Sequence, residues 1–382
     1  MTDEVELFNQ QEFLTDYWQK KPLLIRSYLP HFKDPVDPEE IAGLACEEMI
    51  ESRLVRQQEA NWSFQHGPFS EAEIMELPNR DWTLLIQAVD QWLEPVANLK
   101  RQFSFLPDWR MEDVMVSFAT DGGGVGPHFD NYDVFLLQGA GSRRWQIGPC
   151  CNQETPLRAD SELRLLVDFH SEEEFCLNPG DVLYIPPRIS HYGISTGNSL
   201  CYSIGFRAPS YGEMLMGFTD QIINDLLAEK RFVSHELKPN GHPGEIDPDM
   251  LVETLAELVQ ITNNPEQFLL WFGCHTTEPK YPELIESLEG ALLPDDILRK
   301  LKTHCLLVKS PSSRFAYMTR PSVLHLFVDG RHFPLSGNAL EAVQLLCERN
   351  KFESSEADFL INIKEIRVLL AALLNQGSLI LR

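Results

Sequence analysis

Residues 111–207 consist of short apolar runs separated by Gly and Pro, and this pattern constrains the fold more than any other feature. Runs of this length, ended by turn residues such as those at 139–142 (Gly-Ala-Gly-Ser), are typical of strands. Several short strands at close spacing predict an all-β barrel or jelly roll. The predicted strands are 114–119, 133–138, 144–147, 181–185 and 200–206.

The pattern is different on the N-terminal side of this block. Apolar residues at three- and four-residue spacing predict an amphipathic helix within 8–26, and Pro22 ends it before a short apolar strand at 23–25. The same spacing predicts that residues 38–52 and 70–100 are mostly helical. We therefore expect N-terminal helices to precede the strands.

The pattern changes again after residue 207. Residues 211–230, 248–262 and 265–273 are predicted to be helical, and their apolar faces exceed what a lone helical hairpin can bury. These faces pack either on a second subunit or on the chain's own barrel. The last block mixes a strand at 324–328 with two helices and a final strand, a pattern typical of a winged-helix-like module.

These changes predict an α+β protein with three parts. Residues 1–207 hold the barrel and its N-terminal helices, 208–300 form a helical oligomerisation block, and 301–382 form the winged-helix-like module. A winged helix often binds DNA, and a metal-binding barrel joined to one could be a ligand-responsive DNA-binding regulator. The C-terminal block, however, lacks a dense basic helix that could contact DNA.

The charge of the chain restricts its partners. The 32 Lys and Arg residues against 57 Asp and Glu give a net charge of −25, which excludes charge-driven binding to nucleic acid or to anionic membranes. Residues 301–382 carry 10 basic and 7 acidic side chains, a net of +3, so residues 1–300 carry −28. This acidity serves either solubility or the docking of a basic macromolecule.

The sequence also indicates the cellular compartment of the protein. No apolar run reaches the length of a membrane span, and the acidic N-terminus lacks the basic region of a signal peptide. The eight cysteines include no C-x-x-C pair, so they are expected to be reduced thiols. We therefore expect a cytoplasmic protein.

The residues best suited to chemistry begin with His128-Phe129-Asp130. Residues i and i+2 of a strand point to one face, so this imidazole and this carboxylate can converge on one metal ion. The pattern alone is uninformative, because His170-Ser171-Glu172 repeats it in an acidic surface run. Its context is more specific: it follows the Gly-rich turn 122–126, and a second apolar strand leads through Pro186-Pro187 to His191.

Two His and one Asp would form a 2-His-1-carboxylate triad. Such a triad leaves open positions that suit Fe(II) with a chelating cosubstrate and dioxygen. A zinc hydrolase is an alternative, because zinc also binds three protein ligands and a water. The remaining alternative is that His128 and His191 are hydrogen-bonded histidines of the core.

Four stretches together resemble the JmjC-like cupin oxygenases, and among them the bacterial ribosomal oxygenases, which are arginyl hydroxylases. The resemblance extends over essentially the whole chain. It implies a double-stranded β-helix (jelly-roll) catalytic core, a helical dimerisation block and a C-terminal winged helix. The stretches are EFLTDYWQKKPLLIR (12–26), GGGVGPHFDNYDVFLLQ (122–138), GSRRW (141–145) and PGDVLYIPPRISHYG (179–193).

The resemblance implies a set of cofactors and residues that bind them. Fe(II) is implied at His128, Asp130 and His191, with 2-oxoglutarate and O₂ as cosubstrates. The far carboxylate of 2-oxoglutarate needs a cation, and Arg143 matches the family's position. Arg144 is the alternative, but strand alternation lets only one of the two point inward. Ser199 resembles a hydroxyl that assists this carboxylate.

The resemblance also implies a substrate, which is the β-carbon of an arginine in a large-subunit ribosomal protein, the sixteenth of that subunit. Such a protein is basic, which agrees with the acidic residues 1–300, and direct nucleic-acid binding is not expected. A site for arginine requires carboxylates and aromatic rings, and the candidates are Asp121, Tyr132 and Asp133. The residues themselves do not distinguish arginine from histidine, the other substrate of the wider family, and do not exclude a small molecule.

Overall fold

The computed structural model describes residues 8–58, 61–159, 163–226, 231–232, 242–244, 246, 248–288, 290–301 and 306–382. These residues form two compact units, Met1–Ala208 and Pro209–Arg382. The first division lies one residue from the predicted boundary. The predicted boundary at 300/301 does not separate compact units, since both sides of it belong to the second unit.

The first unit is built on two antiparallel sheets. The larger has the strand order β1-β9-β6-β11-β5-β4-β2-β3 and the smaller has the order β10-β7-β8. Between them lies a small apolar core that includes Leu136, Trp145 and Leu183. This is the predicted jelly roll. Its strands are β1 Leu23–Ile25, β2 Ser52–Gln58, β3 Asn61–His66, β4 Trp82–Ile86, β5 Met111–Ala119, β6 Val134–Gln138, β7 Ser142–Cys150, β8 Glu173–Leu177, β9 Val182–Ile185, β10 Ile189–Thr196 and β11 Ser199–Phe206.

Short helices cover the outer face of the larger sheet. The ring of Phe13, in the first helix, lies 4.8 Å from that of Tyr184 and 5.5 Å from that of Phe135, so the helix is attached to the strands by aromatic packing. Asn9 caps this helix by accepting hydrogen bonds from two backbone N–H groups. The helices are α1 Gln10–Asp16, α2 Pro38–Leu44, α3 Glu71–Met75 and α4 Glu94–Ala97.

The prediction that 38–52 and 70–100 are mostly helical is wrong in part. The helices there are short, and β4 lies inside the second range between Trp82 and Ile86. All five residues of β4 are buried, so the strand appears in the sequence as a continuous apolar run, which periodicity alone does not separate from a helix. The hairpin of β2 and β3 was also not predicted, and it continues the sheet beyond β4.

The second unit combines the helices after residue 208 with two three-stranded sheets, β13-β14-β15 and β16-β12-β17. Helix α7 packs on β13–β15, and a Cβ at Gly273 would lie only 2.3 Å from the ring of Phe327. The elements are α5 Tyr211–Asp225, α6 Pro248–Thr262, α7 Pro265–Thr277, α8 Pro294–Leu301, β12 Leu307–Lys309, β13 Phe315–Thr319, β14 Leu324–Val328, β15 Arg331–Leu335, α9 Leu340–Glu348, β16 Lys351–Phe352, α10 Ser354–Asn362, α11 Lys364–Asn375 and β17 Leu379–Leu381. Within the described ranges, no helix combines the length and apolarity needed to cross a membrane.

Candidate metal centre and cosubstrate pocket

His128, Asp130 and His191 converge at one end of the jelly roll. Their ligand atoms all lie within 4.8 Å of one another. Nε2 of His191 is 3.6 Å from Oδ2 of Asp130, and Nε2 of His128 is 4.0 Å from the same oxygen. Two imidazoles and one carboxylate at these separations can bind a single metal ion.

The backbone brings the three side chains together. His128 and His191 form an isolated antiparallel bridge, in which each backbone N–H donates to the other residue's carbonyl, at 3.0 and 2.8 Å. The carbonyl of Asp130 accepts from the N–H of Arg188 at 2.6 Å. A register shift in β10 between Ile189 and His191 lies at the same place. Such irregularities frequently re-aim side chains at functional sites.

Both imidazoles present Nε2 to the site, because their Nδ1 atoms are engaged elsewhere. Nδ1 of His128 lies 3.0 Å from the carbonyl of Gly126, and Nδ1 of His191 lies 2.9 Å from that of Ile189. A carbonyl only accepts, so each Nδ1 carries the proton and each Nε2 has a free lone pair. Burial and the neighbouring His128 lower the pKa of His191 to about 4, which keeps its ring in the neutral form that binds metals.

Arg143 points into the barrel from β7 and is only 6% exposed. Its Nε and Nη2 donate to Oγ of Ser199, and its Nη1 donates to Oγ of Ser117. No carboxylate pairs with this guanidinium among the residues that the structure describes. Burial lowers the pKa of Arg143, which reflects the cost of holding a charge there without an opposite one.

Arg144, the alternative cation, points the other way. Its guanidinium is exposed and lies 3.2 Å from the carboxylate of Glu174 on β8. Alternation along β7 accounts for this difference, because neighbouring residues of a strand face opposite sides of the sheet. Of the two candidate arginines, Arg143 is therefore the one that lies inside the barrel.

This donor set fits an iron ion and a dicarboxylate cosubstrate. Three protein ligands with nitrogen and oxygen atoms leave open metal positions for a chelating 2-oxo acid. The buried guanidinium of Arg143 donates its hydrogen bonds to the neutral hydroxyls of Ser117 and Ser199, so a carboxylate that entered the barrel would provide the missing negative charge.

Tyr132 lies beside the metal ligands. The residue is 42% exposed. Burial and the neighbouring Asp130 carboxylate raise the pKa of its hydroxyl. Tyr132 is therefore close to the metal ligands and still partly open to solvent.

Asp121 lies away from this cluster. Its carboxylate accepts from the N–H of Gly197 at 3.0 Å and lies 3.6 Å from Nη2 of Arg80. Gly197 belongs to the turn between β10 and β11, at the opposite end of β10 from His191. Asp121 is exposed and can contact a large substrate, but the three metal ligands and Asp121 do not form one cluster.

Asp133 occupies the interior rather than the surface of the site. Its carboxylate accepts hydrogen bonds from Tyr184, at 2.6 Å, and from Gln19, at 3.0 Å, and lies 3.6 Å from the guanidinium of Arg110. It is fully buried. In the described chain, Asp133 joins the segment that follows α1 to the sheet, and its contact with a substrate stays a prediction.

Two hydroxyls of the pocket were not predicted. Ser117 accepts from Arg143, and Oγ of Ser195 lies 2.7 Å from Oγ of Ser199. Ser117 gave a signal in the sequence, since it is the one polar residue inside the apolar run 114–119. Ser195 and Ser199 are close because the turn between β10 and β11 joins their strands.

Comparisons with known proteins agree with this geometry. The JmjC domain family matches residues 98–214, and the ROXA-like winged helix family matches residues 258–380. The ribosomal protein uL16 3-hydroxylase of Escherichia coli K12 is 39% identical over 303 residues, which are 79% of this chain and 80% of that protein. The chain belongs to the ribosomal oxygenases of the JmjC type. The predicted family and the predicted C-terminal winged helix are thereby confirmed.

Solved structures of one ribosomal oxygenase match this chain over nearly its full length. The structure of Escherichia coli YcfD in complex with cobalt and 2-oxoglutarate has a TM-score of 0.85 at 33% identity, and the alignment covers 98% of each chain. The complex of the same protein with cobalt and succinic acid has a TM-score of 0.84 with the same coverage. In these two complexes, a protein of this fold binds cobalt together with 2-oxoglutarate or with succinic acid.

Proposed function

We propose that this protein is an Fe(II)- and 2-oxoglutarate-dependent hydroxylase of an arginine side chain in the ribosomal protein uL16, acting on the β-carbon. The observation that carries the proposal is the combination, in one barrel, of a 2-His-1-carboxylate cluster with a buried guanidinium that donates to serine hydroxyls. A zinc hydrolase has no need for such a cation, because it uses no dicarboxylate cosubstrate.

Each residue of the centre has a distinct task. His128, Asp130 and His191 hold iron on one face and leave positions for the cosubstrates. When bound, Fe(II) supplies the activation of O₂ that replaces a C–H hydrogen by hydroxyl while 2-oxoglutarate is converted to succinate and CO₂. Arg143 binds the far carboxylate of 2-oxoglutarate, and Ser199 orients its guanidinium from the neighbouring strand.

Two observations support an arginine substrate: the name of the Escherichia coli relative and the negative charge of residues 1–300. The Escherichia coli relative is named as a uL16 3-hydroxylase, and position 3 of an arginine is its β-carbon. Residues 1–300 carry a charge of −28, which attracts a basic ribosomal protein. The open face of Tyr132 can stack on a guanidinium, and the exposed Asp121 can pair with a cationic neighbour of the target residue.

A second copy of the chain is the proposed partner of the helical block. Apolar side chains of α6 recur at 251, 252, 255, 258 and 259, which places them along one stripe, and no residue of α6 is buried in the described chain. Helix α5 adds the exposed Leu215, Met216 and Ile223. Two such faces can cover each other in a homodimer.

We further propose that the protein acts in the cytoplasm, where ribosomal proteins are made and assembled. The seven cysteines that the structure describes are all free thiols, which agrees with a reducing compartment. Direct binding to nucleic acid is not part of the proposal, because the net charge of −25 repels it.

Mass spectrometry of purified uL16 tests the substrate. Incubation with the protein, Fe(II), 2-oxoglutarate and O₂ is expected to add one oxygen atom to a single arginine, and fragmentation places it on the side chain. The Asp130→Ala protein serves as the control without activity. Oxygen on a histidine, or turnover of 2-oxoglutarate with uL16 unmodified, would contradict the proposed substrate.

A further inference from the structure

The two histidine ligands are supported very differently. His191 belongs to β10, and its side chain is only 3% exposed. His128 lies in the irregular connection between β5 and β6, where its side chain is 23% exposed and its bridge to His191 is isolated. A ligand outside a regular strand needs additional contacts to hold its ring in position.

Gly126 supplies one of these contacts through its carbonyl, which accepts from Nδ1 of His128 at 3.0 Å. Gly126 has a φ of +84°, a conformation that favours glycine. A Cβ at this position would lie 2.8 Å from Cδ2 of Leu165 and 3.1 Å from Cε2 of Trp62. Leu165 and Trp62 therefore pack closely against Gly126 on the side to which a Cβ would point.

Leu165 belongs to the 151–172 connection between β7 and β8. It is 1% exposed, and the next residue, Leu166, donates its N–H to the carbonyl of Pro127 at 2.9 Å. A hydrogen bond within the connection also holds Leu165, since its carbonyl accepts from the N–H of Arg158 at 2.8 Å. The Leu165 side chain thus contacts Gly126, and the hydrogen bond from Leu166 holds Pro127. These are the two residues that precede His128.

We propose that Leu165 is a positioning residue for the iron ligand His128. It packs on Gly126 and holds the Gly126 carbonyl against Nδ1, which directs Nε2 of His128 towards Asp130 and His191. The inference rests on the proposed iron site and extends it to a residue that does not touch the metal. Loss of the Leu165 side chain frees Gly126 to move and weakens the metal site.

Binding of Mn(II) to the apoprotein tests the proposal without catalysis. Isothermal titration calorimetry is expected to give a Kd about 10-fold higher for Leu165→Ala than for the wild type, the size of effect that outer-shell partners have on metal affinity. Leu165→Met, which refills the space, is expected to restore the affinity. The visible spectrum of bound Co(II) should change in Leu165→Ala and return in Leu165→Met.

Leu166→Ala is the matched control. It removes an equally buried leucine side chain from the same connection, keeps the N–H that binds Pro127, and leaves the contact with Gly126 in place. Its Kd should stay within about threefold of the wild-type value, well below the effect expected for an outer-shell contact. If Leu165→Ala fails to fold, Leu165→Val takes its place, with a smaller increase in Kd.

Two results would overturn the proposal. The first is a Mn(II) affinity and a Co(II) spectrum in Leu165→Ala or Leu165→Val that match those of the wild type. The second is an equal loss in Leu166→Ala, which would indicate general loosening of the connection. Failure of the wild type itself to bind Mn(II) would instead contradict the proposed iron centre, so the two failures are distinguishable.

Discussion

The guanidinium of Arg143 donates to Oγ of Ser199 from two nitrogens, Nε at 3.3 Å and Nη2 at 3.1 Å. The third hydrogen bond, from Nη1, goes to Oγ of Ser117 at 3.0 Å. Neutral hydroxyls orient the guanidinium but do not balance its charge, and burial of an unbalanced charge is costly. A carboxylate brought in by 2-oxoglutarate would supply that balance.

Arg143→Ala is therefore expected to act mainly on the cosubstrate. Loss of a buried charge-assisted pair of about 2–3 kcal/mol raises the KM for 2-oxoglutarate by about 100-fold. Arg144→Ala removes a neighbouring guanidinium that points outwards to Glu174, so the KM of this variant for 2-oxoglutarate should equal that of the wild type. Steady-state succinate formation measures both values. An unchanged KM in Arg143→Ala would refute the assignment.

Asp130→Ala is expected to abolish hydroxylation and the coupled conversion of 2-oxoglutarate. Oδ2 of Asp130 faces Nε2 of both histidines, so its removal leaves only two protein ligands. The affinity for Mn(II) should fall by at least about 10-fold, as expected when a ligand is lost rather than an outer-shell partner. Asp168→Ala, at an exposed carboxylate, is the control. Product formed by Asp130→Ala would exclude the triad.

Part of the site follows local rules, because Arg143 and Arg144 point to opposite sides of β7 by strand alternation. The meeting of His128 with His191 does not, because it depends on a bridge between an irregular connection and β10. The burial of Asp133 follows no such rule. It depends on Gln19, which is 114 residues away in the chain, and on Tyr184. The packing of the segment that follows α1 on the sheet brings these partners together.

The part of the sheet that β2, β3 and β4 form could not be predicted for a related reason. β4 is buried on both faces, so it shows no alternation of apolar and polar residues. Its register, in which Leu84 lies opposite Phe118 of β5 and Leu54 of β2, is a long-range pairing. Local periodicity carries no information about such pairs, and the helical prediction over 70–100 failed for this reason.

Leu255→Glu is expected to convert the proposed homodimer into a monomer. Leu255 lies in the middle of the exposed apolar stripe of α6 and is 62% exposed, so a charge there would be desolvated in the dimer. Gln260→Glu adds the same charge to the same helix at an exposed polar position and should remain dimeric. Light scattering after size-exclusion chromatography measures the mass. A wild-type monomer would contradict the dimer.

Acid is expected to destabilise the second unit through His332. Nε2 of His332 lies 2.9 Å from Nδ1 of His325, and burial and this neighbour lower the pKa of His332. As the pH falls through about 6.5 the unfolded chain takes up a proton that the folded chain resists, so the free energy of unfolding decreases. Calorimetry should show a smaller fall in Tm between pH 7 and pH 5.5 for His332→Gln. His170→Gln, at an exposed histidine, should leave the fall unchanged.

Salt is expected to slow the hydroxylation of intact uL16 more than that of a short neutral peptide around the target arginine. The charge of −28 on residues 1–300 acts over distances that salt screens, and the Debye length shrinks from about 10 Å at 0.1 M to about 3 Å at 1 M. Electrostatic complementarity mainly affects the association rate, so the difference should appear in kcat/KM, with kcat unchanged. If both substrates respond equally to salt, the acidic surface contributes to solubility and not to docking.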